Sequence, residues 1–268
     1  RSDPTTKAVA VPIYRTTSYQ FDSTEHAANL FALKEFGNIY TRIMNPTNDA
    51  LEKRLAALEG GLACLTVSSG QTASTFSILN VAKAGDNIVS STDLYGGTVS
   101  LFTHTLSKLG IEVRYADPAD PKNFEKAIDD KTRAFYGETL PNPYLRVFPI
   151  KEVSDIGRKY NIPLIMDNTA SPVLCKPLEH GAAIVVYSLT KYIGGHGTVV
   201  GGALIDGGNF DWTADPKRQP LFNEPDASYG GAVWGKVVPE LTGANVSFAV
   251  RARVVLLRDL GAALSPDN

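Results

Sequence analysis

Ile184-Val185-Val186-Tyr187-Ser188-Leu189-Thr190-Lys191, followed by Tyr192-Ile193-Gly194-Gly195-His196-Gly197, is the stretch on which the reading of this chain turns. Its first residues are a short apolar run rich in β-branched side chains, the pattern of a buried strand, and the glycines behind it impose a turn. Ser188, Thr190 and Lys191 therefore stand at the carboxyl end of a strand, the edge where open α/β sheets keep their ligand crevice. Two hydroxyls there can donate to an anion, and Lys191 adds a cation or a nucleophilic amine. A solvated surface lysine is the ordinary alternative. The neighbouring segments supply the context that a lone lysine lacks.

Upstream, the chain alternates. Leu51, Leu55 and Leu58 mark one face of a helix over 48–58, stopped by Gly60-Gly61. The pattern then predicts strands over 62–67, 87–91, 111–115, 133–139, 162–167 and 184–189, with helices over 71–83, 98–109, 124–128 and 150–160. A last strand with two interior glycines is expected over 199–205. Strands alternating with helices imply right-handed crossovers, hence an α/β fold: a mainly parallel, doubly wound sheet with helices on both faces. Residues 1–45 lack clean periodicity yet carry Tyr14, Tyr19, Phe21, Phe31, Phe36 and Tyr40, too many aromatics for a disordered tail. They are expected to form an arm packing on a neighbouring subunit. Residues 46–242 would form the ligand-binding α/β/α domain, ending in an irregular, ordered excursion over 207–242 with Trp212, Trp234, Pro216, Pro220 and Pro225. A helical pattern over 244–263 makes 243–268 a linker helix opening a C-terminal domain largely absent from the chain.

Composition excludes several classes. A chain of 268 residues with 43% hydrophobic and 20% charged residues is an ordinary folded protein. A net charge of -2 gives no footprint for nucleic acid or an anionic membrane, and no apolar run is long enough to span a bilayer. The opening Arg1-Ser2-Asp3-Pro4-Thr5-Thr6 is not a signal peptide. Cys64 and Cys175 have no CxxC spacing, as expected for unpaired thiols in a reducing cytoplasm, and the four histidines are scattered without ligand spacing, so no metal is expected.

Polar residues recur at the predicted strand ends. Val67-Ser68-Ser69-Gly70-Gln71 places a serine and a glycine at a helix start, where N–H groups and the helix dipole favour a phosphate; an ordinary serine cap is the alternative. No GxGxxG or GxxxxGK[ST] occurs, so dinucleotide and nucleoside-triphosphate fingerprints are absent. Asp93-Leu94-Tyr95-Gly96-Gly97-Thr98 puts an aromatic ring at the same edge, as a stacking group or a packing tyrosine. Asp167 closes an apolar strand and needs a partner, for which a protonated ring nitrogen would serve. Glu138 and Asn142 offer a second polar pair, or plain turn chemistry.

Phosphate cradle, aromatic, carboxylate and strand-end lysine, in that order, resemble the fold-type I pyridoxal-phosphate enzymes. Tyr40-Thr41-Arg42 with Asn45-Pro46-Thr47, Ser69-Gly70-Gln71, Leu94-Tyr95-Gly96-Gly97-Thr98, Asp167-Asn168-Thr169 and Ser188-Leu189-Thr190-Lys191-Tyr192 narrow the resemblance to the Cys/Met-metabolism (transsulfuration) family, over nearly the whole chain. Within it, Glu25-His26-Ala27-Ala28-Asn29-Leu30-Phe31, Phe36-Gly37-Asn38-Ile39-Tyr40 and Gly194-Gly195-His196-Gly197-Thr198 are most similar to the O-acetylhomoserine sulfhydrylases. The resemblance implies pyridoxal phosphate held as a Schiff base on Lys191, with Asp167 on the ring nitrogen and Tyr95 stacked on the ring as further catalytic residues. It implies Asn142 near the phenolic oxygen, with Glu138 beside it, and Ser69, Gly70, Gln71, Ser188 and Thr190 around the phosphate. Tyr40 and Arg42 would reach the phosphate of a neighbouring subunit in a homo-oligomer, tetrameric in this family, and guanidinium suits phosphate bidentately. The implied reaction makes homocysteine and acetate from O-acetylhomoserine and sulfide.

Some positions depart from the family pattern. Gly97 stands where lyases carry cysteine, and Gly197-Thr198 where synthases and lyases mostly carry Ser-Asp, which argues against methionine γ-lyase and cystathionine γ-synthase activities. Ala183 replaces a common acid, and Tyr187 stands where a small residue or histidine is usual. The family's C-terminal domain, with the arginine that clamps the substrate carboxylate, falls beyond Asn268, so a catalytically silent cofactor-binding fragment is the remaining alternative.

Overall fold

Strands of four to seven residues pair into a single sheet: β1 (Ala63–Val67), β2 (Asn87–Ser91), β3 (Glu112–Ala116), β4 (Thr132–Glu138), β5 (Leu164–Asp167), β6 (Ile184–Ser188) and β7 (Gly202–Asp206). The computed structural model describes Asp3 and residues 5–268; Arg1, Ser2 and Pro4, the opening of the expected arm, lie outside the described residues. The strand order is β1-β7-β6-β5-β4-β2-β3. Strands β3, β2, β4, β5 and β6 run parallel, whereas β7 is antiparallel to both β6 and β1. Strand β1 consequently points the same way as β6, and its carboxyl end reaches the same edge. The sheet is thus mainly parallel, as the alternation predicts, with one reversed strand that the sequence pattern does not reveal.

Both faces of the central strands are covered, which is why β4, β5 and β6 read as nearly continuous apolar runs, while the edge strand β3 is largely exposed. Alternation along β6 sends Ile184 and Val186 into one core with Phe76, Phe102 and Trp212, and Val185 and Tyr187 into another with Leu55, Phe135 and Val153. Helices α1 (Thr24–Phe31), α2 (Pro46–Glu59), α3 (Gly70–Leu79), α4 (Gly96–Ser100), α5 (Lys122–Lys126) and α6 (Ile150–Lys159) precede β6. Helix α2 starts where the Asn45 side chain accepts the Thr47 N–H at 2.9 Å and Pro46 occupies the first turn.

Five segments differ from the sequence reading. The helix expected over 98–109 is α4 followed by a π-helical stretch over Leu101–Leu106. Helix α1 lies inside the expected arm; it buries only Leu30, so it has no apolar stripe to read. Helix α3 stops at Leu79, short of residue 83, and the side-chain amide of Asn80, its cap, donates to the Phe248 carbonyl at 2.9 Å. The excursion over 207–242 contains α7 (Pro220–Asn223) and α8 (Trp234–Thr242), the latter masked by Pro239 in its interior. The last helical pattern is realised as α9 (Ser247–Arg251), a π-helical stretch over Ala252–Leu257, and α10 (Arg258–Leu260). The arm's Ile13, Phe31 and Phe36 remain exposed on this chain.

A buried ion pair fixes the excursion to the sheet. Asp86 Oδ1 accepts from Arg133 Nε at 2.8 Å and Nη2 at 2.7 Å, while Arg133 Nη1 reaches the Lys217 carbonyl at 3.0 Å. Removing one member of such a pair strands the other charge. Asp86→Ala should therefore cost about 3 kcal/mol, read as a lowered denaturant midpoint at unchanged slope. A loss below about 1 kcal/mol would show that the pair adds little.

Candidate active site

The carboxyl ends of β1, β4, β5 and β6 open onto one cavity of about 800 Å³, lined by Ser69, Gly70, Gln71, Tyr95, Glu138, Asn142, Asp167, Ser188, Thr190 and Lys191. Ten of the twelve residues expected at the site are thereby brought together. Tyr40 and Arg42 are not in this cavity. Arg42 donates to the Arg258 carbonyl, and its guanidinium lies 5.3 Å from the centre of the Tyr40 ring.

One wall of the cavity is built by backbones that touch. A Cβ on Gly70 would sit 2.6 Å from the Ser188 Cβ, and one on Gly202 would sit 2.0 Å from the Ser69 carbonyl oxygen. Absence of those side chains lets the β1–α3 turn, the end of β6 and the start of β7 close on one point. The N-terminus of α3 and the Ser188 and Thr190 hydroxyls then face the same space, a donor set suited to a phosphate. Ser69 itself caps α3, its hydroxyl accepting the Thr72 N–H at 3.1 Å. The Gln71 side chain donates to the Gly97 carbonyl at 3.0 Å and so ties the phosphate-side helix to the turn that carries Tyr95.

The opposite wall is acidic. Glu138 and Asp167 are paired across β4 and β5, both carboxyls reach the cavity, and neither has an ion-pair partner among the described residues. Burial, and next the neighbouring Asp167, push the Glu138 carboxyl up to about 8, against the lowering effect of the Tyr95 and Asn142 N–H groups. Burial raises Asp167 as well, against the lowering hydrogen bonds of Thr169. A cation placed between them would relieve this cost, so the wall suits a protonated ring nitrogen. Phosphate cradle, unpaired carboxylates and a lysine amine together fit pyridoxal phosphate.

Thr169 is the site residue that the sequence reading missed. Its N–H donates to Asp167 Oδ1 at 2.9 Å, and its Oγ1 accepts the Ser188 N–H at 2.8 Å, so it joins the acidic wall to the phosphate wall. Its place two residues after Asp167, in a motif already singled out, was the available signal. Ser74, Thr98, Leu140, Leu145, Ala170, Tyr192, Gly195 and Val200 complete the lining, and no chemistry read from the sequence marks them out.

The raised Glu138 carboxyl has a consequence for stability. Its ordinary value is 4.5 and the folded value about 8, so the folded state favours the neutral form. That contribution is fully present below about pH 4.5 and is lost as pH rises through about 8. The cofactor-free protein should lose stability across this window, and Glu138→Gln should flatten the loss. Denaturant midpoints measured against pH test this; an unchanged slope in the variant would contradict it.

Known proteins agree with the geometry. The model of the family described as Cys/Met metabolism PLP-dependent enzyme matches residues 1–268. An O-acetyl-L-homoserine sulfhydrylase of Leptospira meyeri is 55% identical over 99% of this chain and 61% of its own length. An O-acetyl-L-homoserine sulfhydrylase of Thermus thermophilus is 51% identical over 98% of this chain and 62% of its own length. The chain thus spans about three fifths of these relatives. A crystal structure described as an O-acetylhomoserine (thiol)-lyase of Campylobacter jejuni, holding a pyridoxyl-lysine monophosphate, superposes with a TM-score of 0.93 at 41% identity, covering 100% of this chain and 65% of that one. The architecture is that of the fold-type I enzymes, and the chain belongs to the Cys/Met-metabolism family of pyridoxal-phosphate-dependent enzymes.

Proposed function

We propose that the intact protein catalyses a pyridoxal-phosphate-dependent γ-replacement in methionine biosynthesis, converting O-acetyl-L-homoserine and sulfide to L-homocysteine and acetate. The observation that carries this reading is the convergence of Lys191, the Glu138–Asp167 pair and the Gly70–Ser188 cradle on one cavity, in a chain whose relatives bear the sulfhydrylase name. The Gly70 and Gln71 N–H groups and the Ser188 and Thr190 hydroxyls would hold the phosphate, Tyr95 would cover the ring, and Asn142 would stand near its phenolic oxygen. When bound, the cofactor supplies an electron sink for negative charge developing at the substrate's α carbon.

The chain's own groups would do the rest. Asp167, facing a cation, ionises and keeps the ring nitrogen protonated. Glu138 would fix the Tyr95 backbone through its 2.7 Å hydrogen bond. Lys191 both anchors the cofactor and, once displaced by the substrate amine, takes the α proton and returns it. Loss of a β proton would then let acetate leave Cγ with its bonding pair, hydrosulfide would add at Cγ, and protons would return to Cβ and Cα. Residues 1–45 would act as an arm, 46–242 as the cofactor domain and 243–268 as the link to a C-terminal domain that binds the substrate carboxylate. Tyr40 and Arg42 would complete a partner subunit's phosphate site in a cytoplasmic homotetramer.

Borohydride reduction followed by peptide mapping should place the pyridoxyl group on Lys191, and the enzyme should consume sulfide with stoichiometric acetate and homocysteine. A label on another lysine would remove the anchor assignment. Ketobutyrate and ammonia dominating at high sulfide would make the enzyme a lyase instead.

Mixing subunits tests the shared site. Arg42→Ala and Lys191→Ala proteins, each inactive or weakened alone, should regain activity after exchange, because one hybrid site keeps both residues. Arg42→Ala should weaken cofactor binding by about 1.5–3 kcal/mol, the worth of a hydrogen bond to a charged group. No recovery after verified exchange would assign Arg42 to its own subunit.

A further inference from the structure

Beneath the cavity, on the α2 face of the sheet, four polar side chains are buried together: Glu59, Asn168, Ser171 and Tyr187, each 1% exposed or less. Strand alternation explains the tyrosine. Ser188 looks into the cavity, so the preceding residue points to the opposite face, where Tyr187 packs with Leu55, Met166 and Val185. A hydroxyl on that apolar face requires partners. It donates to Glu59 Oε1, at the last residue of α2, and accepts from Asn168 Nδ2 at 2.6 Å.

Asn168 passes this connection to the cavity. Its Nδ2 also donates to the Cys175 carbonyl at 2.9 Å, and its Oδ1 accepts the Ser171 hydroxyl at 2.7 Å, which pins the turn following β5. That turn carries Thr169, which holds the Asp167 carboxylate with its N–H and the Ser188 N–H with its hydroxyl. The Tyr187 hydroxyl therefore reaches the acidic wall through one hydrogen bond, to Asn168, whose chain neighbours are Asp167 and Thr169, while its ring lies on the face of the sheet opposite the cavity. Glu59 is the costly member. Its Oε2 has no partner among the described residues, and burial raises its carboxyl despite the Tyr187 and Asn168 hydrogen bonds and the charge of Lys176, with Glu179 adding to the rise. Apolar packing would serve stability better than a half-satisfied buried acid.

We propose that Glu59, Tyr187 and Asn168 form a positioning relay that holds the Asp167–Ser171 turn from beneath the sheet and so fixes the Asp167 carboxylate against the cofactor's ring nitrogen. The relay rests on the cofactor site described above and not on the leaving group or the nucleophile. It assigns a role to Tyr187, whose departure from the family pattern the proposed reaction leaves unexplained.

Reconstitution of the cofactor-free enzyme with pyridoxal phosphate tests it. Tyr187→Phe keeps the ring and its packing but removes the bridging hydroxyl. Its dissociation constant for pyridoxal phosphate should rise about ten-fold, and the pH midpoint of the bound cofactor's visible absorption should shift, because Asp167 no longer holds the nitrogen firmly. Glu59→Gln retains an acceptor for the tyrosine and should keep both properties near wild type, whereas Glu59→Leu should reproduce Tyr187→Phe. Combining Tyr187→Phe with Glu59→Leu should add little, the relay being already broken. Ser154→Ala removes a hydroxyl that donates to the Gly181 carbonyl at 2.6 Å, and should lower stability while leaving the spectrum in place. Wild-type affinity and midpoint in Tyr187→Phe, or an equal shift in Ser154→Ala, would overturn the relay. If Tyr187→Phe does not fold, the contrast between Glu59→Gln and Glu59→Leu makes the same decision, and equal behaviour of those two overturns it. A wild-type protein that binds no pyridoxal phosphate would instead overturn the cofactor site, and the relay with it.

Discussion

Three stretches of backbone meet without side chains between them, and the site depends on that contact. Gly70 lies against Ser188, and Gly202 against the Ser69 carbonyl. Strand β7 is what makes the meeting possible. Being antiparallel to both β1 and β6, it begins where they end, with Val67 and Ser188 both opposite Gly202. A methyl group at either glycine would push the α3 N-terminus away from the Ser188 hydroxyl, and an anion site made of N–H groups and hydroxyls tolerates little separation.

Charge is handled differently here from elsewhere in the molecule. Asp86 is matched by Arg133, Glu52 by Arg253, and Asp206 accepts the N–H groups of Gly208 and Ala249 at 3.0 and 3.1 Å. Each of these acids completes its hydrogen bonding within the fold. Glu138 and Asp167 also accept N–H groups, from Tyr95 and Thr169, but they lie next to each other at the ends of central strands and no cation meets them among the described residues. Adjacent buried carboxyls without a cation oppose folding, a cost that a cationic ligand would relieve. The contrast sets this wall apart from the acids that a cation matches, although Glu59 beneath the sheet is also left half-satisfied.

Periodicity carried the strands and most helices, because apolar runs ending in glycine or a polar cap leave few choices. The site residues were legible for the same reason: Ser69, Asp167, Ser188 and Lys191 each close or follow an apolar run. What stayed hidden depends on contacts distant in sequence. The direction of β7 is set by its two neighbours, and nothing within Gly202–Asp206 encodes it. Helix α8 carries a proline that ordinarily ends a helix, yet its Trp234 ring is anchored, Nε1 donating to Asp226 Oδ2 at 2.8 Å. Thr169 looks like any turn threonine until the Ser188 N–H is seen to reach it.

Strand β6 shows why the two faces of the sheet cannot be treated separately. Its period of two assigns Ser188 to the cavity and Tyr187 to the packed face, and a slip of one residue would exchange them. The phenol would then enter the cavity beside the α3 N-terminus, and a serine would face Leu55 and Met166 with no partner for Glu59. The hydrogen bond from Asn168 to Tyr187 and that from Ser188 to Thr169 oppose such a slip from opposite sides of the strand. Register at the strand end, and with it the alignment of the phosphate hydroxyl beside the acidic wall, is therefore held by polar contacts below the sheet as much as by the apolar core around it.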